Sequence, residues 1–261
     1  MMLRGDVFSQ TLEMETGITI LTPPTGMGKP PYRVVYLLHG LSGRSGDWLD
    51  YTMLPVFARE YEVVFIMPEV GRSFYTDMRY GQQFFSYVVD ELPLLSRTYF
   101  NISARREDTA VIGNSMGGYG ALKCALTKPD SFGMCCALAS ACLFLKERTG
   151  GLTELGDIEK VRAAIGEQLV RDFQGAFGEG MEIGPEADIM TLARAAATGK
   201  NKPRIYSACG ADDDLVDDNR KFRDEMLALG FDFTYEEWAG SHDWRFFNTA
   251  LELALRFCFG K

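Results

Sequence analysis

Hydrophobic positions in this chain cluster into short, dense runs separated by longer stretches of mixed, helix-like spacing. Residues 7–12 and 17–21 read as an opening pair of strands. The run Tyr32-Arg33-Val34-Val35-Tyr36-Leu37-Leu38 is denser, as expected of a central strand buried on both faces. It ends at His39-Gly40, ahead of the polar, glycine-rich loop Ser42-Gly43-Arg44-Ser45-Gly46. Residues 63–67 form the next strand, stopped by Pro68, and a helix is predicted over 84–98. A strand at 109–113 runs straight into Ser115 and a helix over 117–126. Further strands are predicted over 132–139, 204–208 and 231–238, with helices over 219–229 and 244–257. Short apolar strands alternating with helices predict an α/β protein whose mainly parallel sheet is covered by helices on both faces.

The alternation fails between residues 143 and 202, a helix-prone stretch broken by Gly150-Gly151, Gly175, Gly178, Gly180 and Gly184-Pro185. It is too long for a simple connection. Within one domain spanning 1–261, it is expected to be an insertion over the carboxyl ends of the strands, as a pocket wall or as inert padding.

Composition narrows the function classes. With 46% hydrophobic and 24% charged residues the chain is an ordinary globular one, and 261 residues can bury a core without staples. Its net charge of −9 disfavours nucleic acid and anionic membrane surfaces, which call for basic patches. The amino terminus has no signal-peptide core, and no apolar run reaches the ~18 residues of a membrane span. Of six cysteines most lie in apolar runs, with no CxxC pair and no zinc-type spacing to either histidine. These features lead to the expectation of a cytoplasmic protein. Homo-oligomers are common among soluble proteins, so one is possible here, but no interface signature is readable.

The sharpest local signal is Gly113-Asn114-Ser115-Met116-Gly117, a G-x-S-x-G sequence between a β-branched strand and a helix. A nucleophile on such a turn has a strained backbone, and side chains two residues away would collide with neighbouring elements. A serine hydroxyl needs an adjacent base, and the chain has two histidines. His242 follows the last strand, in the Ser–acid–His order of this motif, whereas His39 falls outside that order and reads as structural. The third member should be a carboxylate after the 204–208 strand, where Asp212, Asp213 and Asp214 are consecutive and spacing cannot choose among them. It would fix the imidazole tautomer and stabilise the imidazolium. The expected oxyanion donors are the backbone N–H of Met116 and, from the loop after the central strand, that of Leu41.

Taken together, these blocks resemble the esterase D group of α/β-hydrolases, which includes tributyrin, feruloyl and acetyl-xylan esterases and S-formylglutathione hydrolases. The resemblance rests on His39-Gly40-Leu41-Ser42-Gly43 with Asp47-Trp48, Ser73-Phe74-Tyr75-Thr76-Asp77-Met78 and Glu91-Leu92-Pro93. It continues through Gly113 to Gly120, Cys209-Gly210 to Asn219, and Gly240-Ser241-His242-Asp243-Trp244. It implies Asp213 as the acid, supports Leu41 and Met116 as oxyanion donors, and suggests Trp48, Tyr75, Trp244 and the Met116 side chain as pocket walls, although a buried aromatic is more often packing. The implied activity is hydrolysis of short-chain acyl esters of tributyrin, acetyl or feruloyl type through an acyl-enzyme, with no metal or cofactor and a small-molecule ester as partner. An S-formylglutathione-type thioesterase and an acyltransferase are the alternatives within catalysis. A non-catalytic binding scaffold is the alternative outside it.

Overall fold

The structure, a computed structural model, describes residues 1–149 and 155–260. Eight strands form one sheet in the order β1 (Met2–Ser9), β2 (Met14–Leu21), β4 (Val63–Pro68), β3 (Arg33–Leu38), β5 (Thr109–Asn114), β6 (Met134–Leu138), β7 (Arg204–Gly210) and β8 (Phe233–Trp238). The β1–β2 and β2–β4 pairings are antiparallel and all the others parallel. Every strand of β3 to β6 is buried along almost its whole length, which is why their sequences read as continuous apolar runs. The edge strand β1 starts five residues earlier than its apolar pattern suggested. Its first half is exposed, so no alternation marks it, and Leu12 belongs to the hairpin turn instead.

Helices cover both faces of the sheet. On one face α1 (Asp47–Tyr51), α2 (Leu54–Tyr61) and α11 (Trp244–Phe259) pack Trp48, Leu54, Phe57, Phe247 and Leu251 against Val35, Leu37 and Ile112. The sequence reading left α1 and α2 unassigned, yet the parallel β3–β4 pair requires a crossover there. On the opposite face lie α5 (Met116–Thr127), α10 (Val216–Ala228) and the helix over 84–99. That last helix divides into α3 (Phe84–Ser86), a π-helical turn (Tyr87–Glu91) and α4 (Leu92–Tyr99). Pro93, which has no N–H, opens α4. Glu91 accepts hydrogen bonds from Ser9 Oγ (2.5 Å) and the Gln10 amide (2.7 Å), tying the β1–β2 turn to this helix.

The 143–202 segment leaves the carboxyl end of β6 and contributes α6 (Leu145–Thr149), α7 (Leu155–Ile165), α8 (Glu167–Phe177) and α9 (Ile189–Ala197). The predicted break at Gly150-Gly151 lies outside the described residues. Helix α9 packs on α5, and Tyr119 donates its hydroxyl to the Ala187 carbonyl at 2.7 Å. Helix α8 is fastened to the loop after β4. Phe173 stacks on Phe74 with centroids 4.6 Å apart, and Arg72 pairs with Asp172 at 2.5 Å. The Ala176 and Gly175 carbonyls accept the Arg79 and Tyr80 amides.

Candidate active site

Ser115 sits between the carboxyl end of β5 and the first turn of α5 with φ 55° and ψ −119°, a left-handed backbone for a residue that carries a side chain. Both of its backbone groups are engaged. Its N–H donates to the Leu138 carbonyl at 2.9 Å, and its carbonyl accepts from the Gly118, Tyr119 and Ala141 amides. The motif glycines have measurable reasons. A Cβ at Gly113 would lie 2.2 Å from the Gly117 carbonyl oxygen, and one at Gly117 would lie 2.4 Å from the Leu38 carbonyl oxygen. Only hydrogen atoms allow the helix to start this close to two strands.

The loop after β3 crosses directly over this turn. Gly40 is so near that an added Cβ would stand 3.5 Å from the Ser115 Cβ. Leu41 follows it and lines the cleft, while Met116 is the first residue of α5, so its N–H has no acceptor within the helix. The Met116 side chain is buried in the core and does not wall the cleft.

Opposite, the loops after β7 and β8 bring the other two groups together. Gly210 ends β7 against the His loop: a Cβ there would fall 2.1 Å from the Gly240 carbonyl oxygen. The Asp212 amide donates to that same carbonyl at 3.0 Å. This approach brings His242 Nδ1 to 2.7 Å from Asp213 Oδ2, with Asp213 1% and His242 38% exposed at the side chain. The carboxylate can only accept, so Nδ1 carries the proton and Nε2 is left as the basic nitrogen. Asp213 Oδ1 accepts the Leu215 amide at 2.9 Å, which fixes the carboxylate plane. Asp212 and Asp214 are exposed. Geometry thus separates three aspartates that spacing left equivalent.

Ser115 and His242 line a common cleft of about 350 Å³ with Gly40, Leu41, Ser42, Gly43, Asp47, Asn114, Asp243, Trp244 and Phe247. Among the described residues, no member of 143–202 lines it. A larger cavity of about 680 Å³ lies between residues 76–80 and 176–186, but it contains none of the candidate groups.

The three aromatic residues expected as walls beside Met116 divide. Trp244 does line the cleft, its ring tilted against that of Tyr51 with centroids 5.2 Å apart. Trp48 and Tyr75 do not: both are fully buried. The Trp48 indole N–H donates to the Leu38 carbonyl at 2.9 Å and its ring meets Trp244 edge-on, so it supports the wall from behind. The Tyr75 hydroxyl donates to the His39 carbonyl at 2.9 Å, one layer beneath the cleft. Aromatic type alone could not distinguish lining from support. Phe247 was missed, although it stands three residues after Trp244 and hence on the same helix face. Asp243 caps α11, accepting the Arg245 and Phe246 amides.

His39 is buried and structural in its contacts. Its Nδ1 donates to the Gly40 carbonyl at 2.8 Å, and its Nε2 lies 3.2 Å from the Val70 amide nitrogen. Glu69 Oε1 lies 3.2 Å from the same Nε2. Burial would raise the Glu69 carboxyl, but His39 and the Ser45 and Gly71 amides outweigh it and lower the pKa to about 2. The described residues contain no cluster of metal-ligating side chains and no helix long and apolar enough to cross a membrane.

An eight-stranded, mainly parallel sheet with a serine on a strained strand-to-helix turn defines a serine hydrolase of the α/β-hydrolase fold. The match to known proteins gives the family. The model of the Esterase family, described as "Putative esterase", covers residues 9–258, and the chain belongs to that family. It is 34% identical over 219 residues to an acetyl esterase of Caldicellulosiruptor saccharolyticus, covering 83% of this chain and 79% of the relative. It is 30% identical over 182 residues to the Bos taurus S-formylglutathione hydrolase, covering 59% of this chain and 63% of the relative. Among solved structures it is similar to the fluorophosphonate-binding serine hydrolase F of Staphylococcus aureus, with a TM-score of 0.83 and 26% identity. That match covers 100% of this chain and 99% of the other.

Proposed function

We propose that this serine esterase hydrolyses short-chain acyl esters through an acyl-enzyme, with Ser115 as nucleophile, His242 as general base and Asp213 as its orienting acid. The single observation that carries the reading is the 2.7 Å bond between Asp213 and His242, which fixes the imidazole at the edge of the cleft that holds Ser115. His242 takes the Ser115 proton as the oxygen attacks the ester carbonyl. The tetrahedral oxyanion is stabilised by the N–H groups of Leu41 and Met116. His242 returns the proton to the leaving alcohol, then activates a water that attacks the acyl carbon and regenerates the serine.

Two features support a short acyl chain: a cleft of about 350 Å³ lined by Leu41, Trp244 and Phe247, and a relative described as an acetyl esterase. The bovine relative supports a second reading, in which the same machinery acts on a thioester such as S-formylglutathione. We infer a small-molecule substrate in both cases and a single domain, with the 143–202 segment bracing the loop after β4.

Release of p-nitrophenol from acetate and butyrate esters, compared between wild type and Ser115→Ala, tests the proposal. Wild-type turnover that falls to background in the variant supports it. Full activity in the variant sinks the assignment of Ser115. Inactivity of the wild type on both esters, with turnover of S-formylglutathione, selects the thioester reading.

A further inference from the structure

The loop that carries Leu41 is held from below by a side chain that does not reach the cleft. Phe74 and Tyr75 are consecutive side-chain-bearing residues in the left-handed region, with φ 51° and 48°. Such a pair persists only where its surroundings over-determine it. Here the Tyr75 amide donates to Ser73 Oγ at 3.2 Å. The Tyr75 carbonyl accepts from the ammonium of Lys123, a buried side chain that also donates to Thr76 Oγ1 at 2.8 Å and lies 4.7 Å from the Phe85 ring centre. The Phe74 ring is stacked on Phe173 of α8, and the Tyr75 ring lies against Gly120, where a Cβ would stand only 2.5 Å away.

All of these contacts aim one hydroxyl. The Tyr75 O–H donates to the His39 carbonyl at 2.9 Å, which fixes the His39–Gly40 peptide plane. The next plane contains the Gly40 carbonyl and the Leu41 N–H. Its carbonyl is held by His39 Nδ1 at 2.8 Å and by the Gly43 amide at 3.0 Å. In a trans peptide the N–H points opposite to the C=O, so a fixed Gly40 carbonyl also fixes the direction of the Leu41 N–H. The two planes are joined only through the Gly40 Cα, the least restrained linkage a chain offers.

We propose that Tyr75 is a positioning residue that, through its hydrogen bond to the His39 carbonyl, aims the Leu41 N–H at the oxyanion. This rests on the reading of Leu41 as an oxyanion donor. Donor placement matters at sub-ångström scale in such sites, where a small misplacement costs up to about 10²-fold in rate.

The test compares Tyr75→Phe, which deletes only the hydroxyl, with Tyr206→Phe, which deletes the hydroxyl of another buried tyrosine, on β7, that donates to Glu236 Oε2 at 2.6 Å. Active sites are counted with a fluorophosphonate so that only folded enzyme enters the rates. For p-nitrophenyl acetate, Tyr75→Phe is expected to lower kcat and kcat/KM about 10- to 100-fold with KM changed less than about threefold. The Ki of phenylboronic acid, whose serine adduct mimics the tetrahedral anion, should rise by a similar factor. Tyr206→Phe should leave all three within about twofold. If Tyr75→Phe does not fold, Ser73→Ala, which frees the Tyr75 amide, carries the test with a smaller change of the same kind. Unchanged kcat and Ki, or equal losses in the Tyr75 and Tyr206 variants, overturn the proposal. A wild type that turns over no ester or thioester instead overturns the underlying functional reading.

Discussion

The two sides of the Ser115 cleft are built on different principles. On the serine side, Ser115, Met116 and the Gly40 loop are wedged among β3, β5 and α5, with backbone approaches that no Cβ could survive at Gly113 or Gly117. On the histidine side, His242 stands in an exposed loop and its ring is held by the bond to Asp213. The proposed nucleophile is positioned by excluded volume, whereas the proposed base adds, to the close Gly210–Gly240 approach of its loop, a hydrogen bond to a buried carboxylate and an edge contact with Phe247. Sterics cannot be softened by a solvent molecule, whereas a side-chain bond can be deleted while the loop around it persists. Added bulk at the glycines of the serine turn should therefore fail in folding and chemistry together, and loss of the Asp213–His242 bond in chemistry alone.

The largest expected effect is that of the proposed nucleophile: Ser115→Ala should cost on the order of 10⁶-fold in kcat. Thermal melting should change little, since the hydroxyl makes none of the backbone contacts that hold the turn. Next comes Asp213→Asn, expected to lower kcat about 10⁴-fold by presenting the wrong partner to Nδ1. Asp212→Asn and Asp214→Asn, both at exposed positions, should leave turnover within about twofold. Equal losses from all three would mean that the acid is not held as described.

Gly117→Ala provides the steric counterpart. Its Cβ would fall 2.4 Å from the Leu38 carbonyl oxygen and 2.8 Å from that of His39, both backbone atoms. A loss of about 1–3 kcal/mol in denaturant unfolding is expected, together with lost turnover. Ser241→Ala, on the exposed histidine loop, should stay within about 0.5 kcal/mol. A Gly117→Ala enzyme with wild-type stability would break the contrast.

The last comparison is electrostatic and again belongs to the serine side. The Glu69 carboxyl is lowered from 4.5 to about 2 in the folded protein, so between those values the unfolded chain binds more protons. Its contribution to stability is complete above about pH 4.5 and is lost as pH falls towards 2. Unfolding free energies measured across that window should slope less steeply in Glu69→Gln than in wild type. Identical slopes would show that the Glu69 carboxyl is not lowered in the folded protein.

The sequence was most legible where one property decides the outcome. Buried parallel strands must be apolar on both faces, so the run from Tyr32 to Leu38 announced β3, whereas the exposed first half of β1 left no such trace. The Gly-x-Ser-x-Gly turn was legible because excluded volume dictates glycine at fixed offsets. Trp48 and Tyr75 were read as cleft walls because residue type says that an aromatic is buried, not which neighbour it meets. Both turned out to lie one layer beneath, with their polar atoms on the Leu38 and His39 carbonyls. Helices α1 and α2 escaped notice because a five-residue and an eight-residue helix give too few turns for periodicity to register.

What the chain determined by itself was the sheet, the strained serine turn and the order in which serine, acid and histidine follow one another. These depend on local sterics and on burial of contiguous residues, which a linear pattern encodes directly. Tertiary structure alone decided which of three consecutive aspartates meets His242, and which aromatics face the cleft or stand behind it. It also decided that the segment after β6 braces the loop carrying Tyr75. Those outcomes depend on how separate loops approach one another through Gly210, Gly120 and Gly40, a distance in space that no spacing along the chain contains.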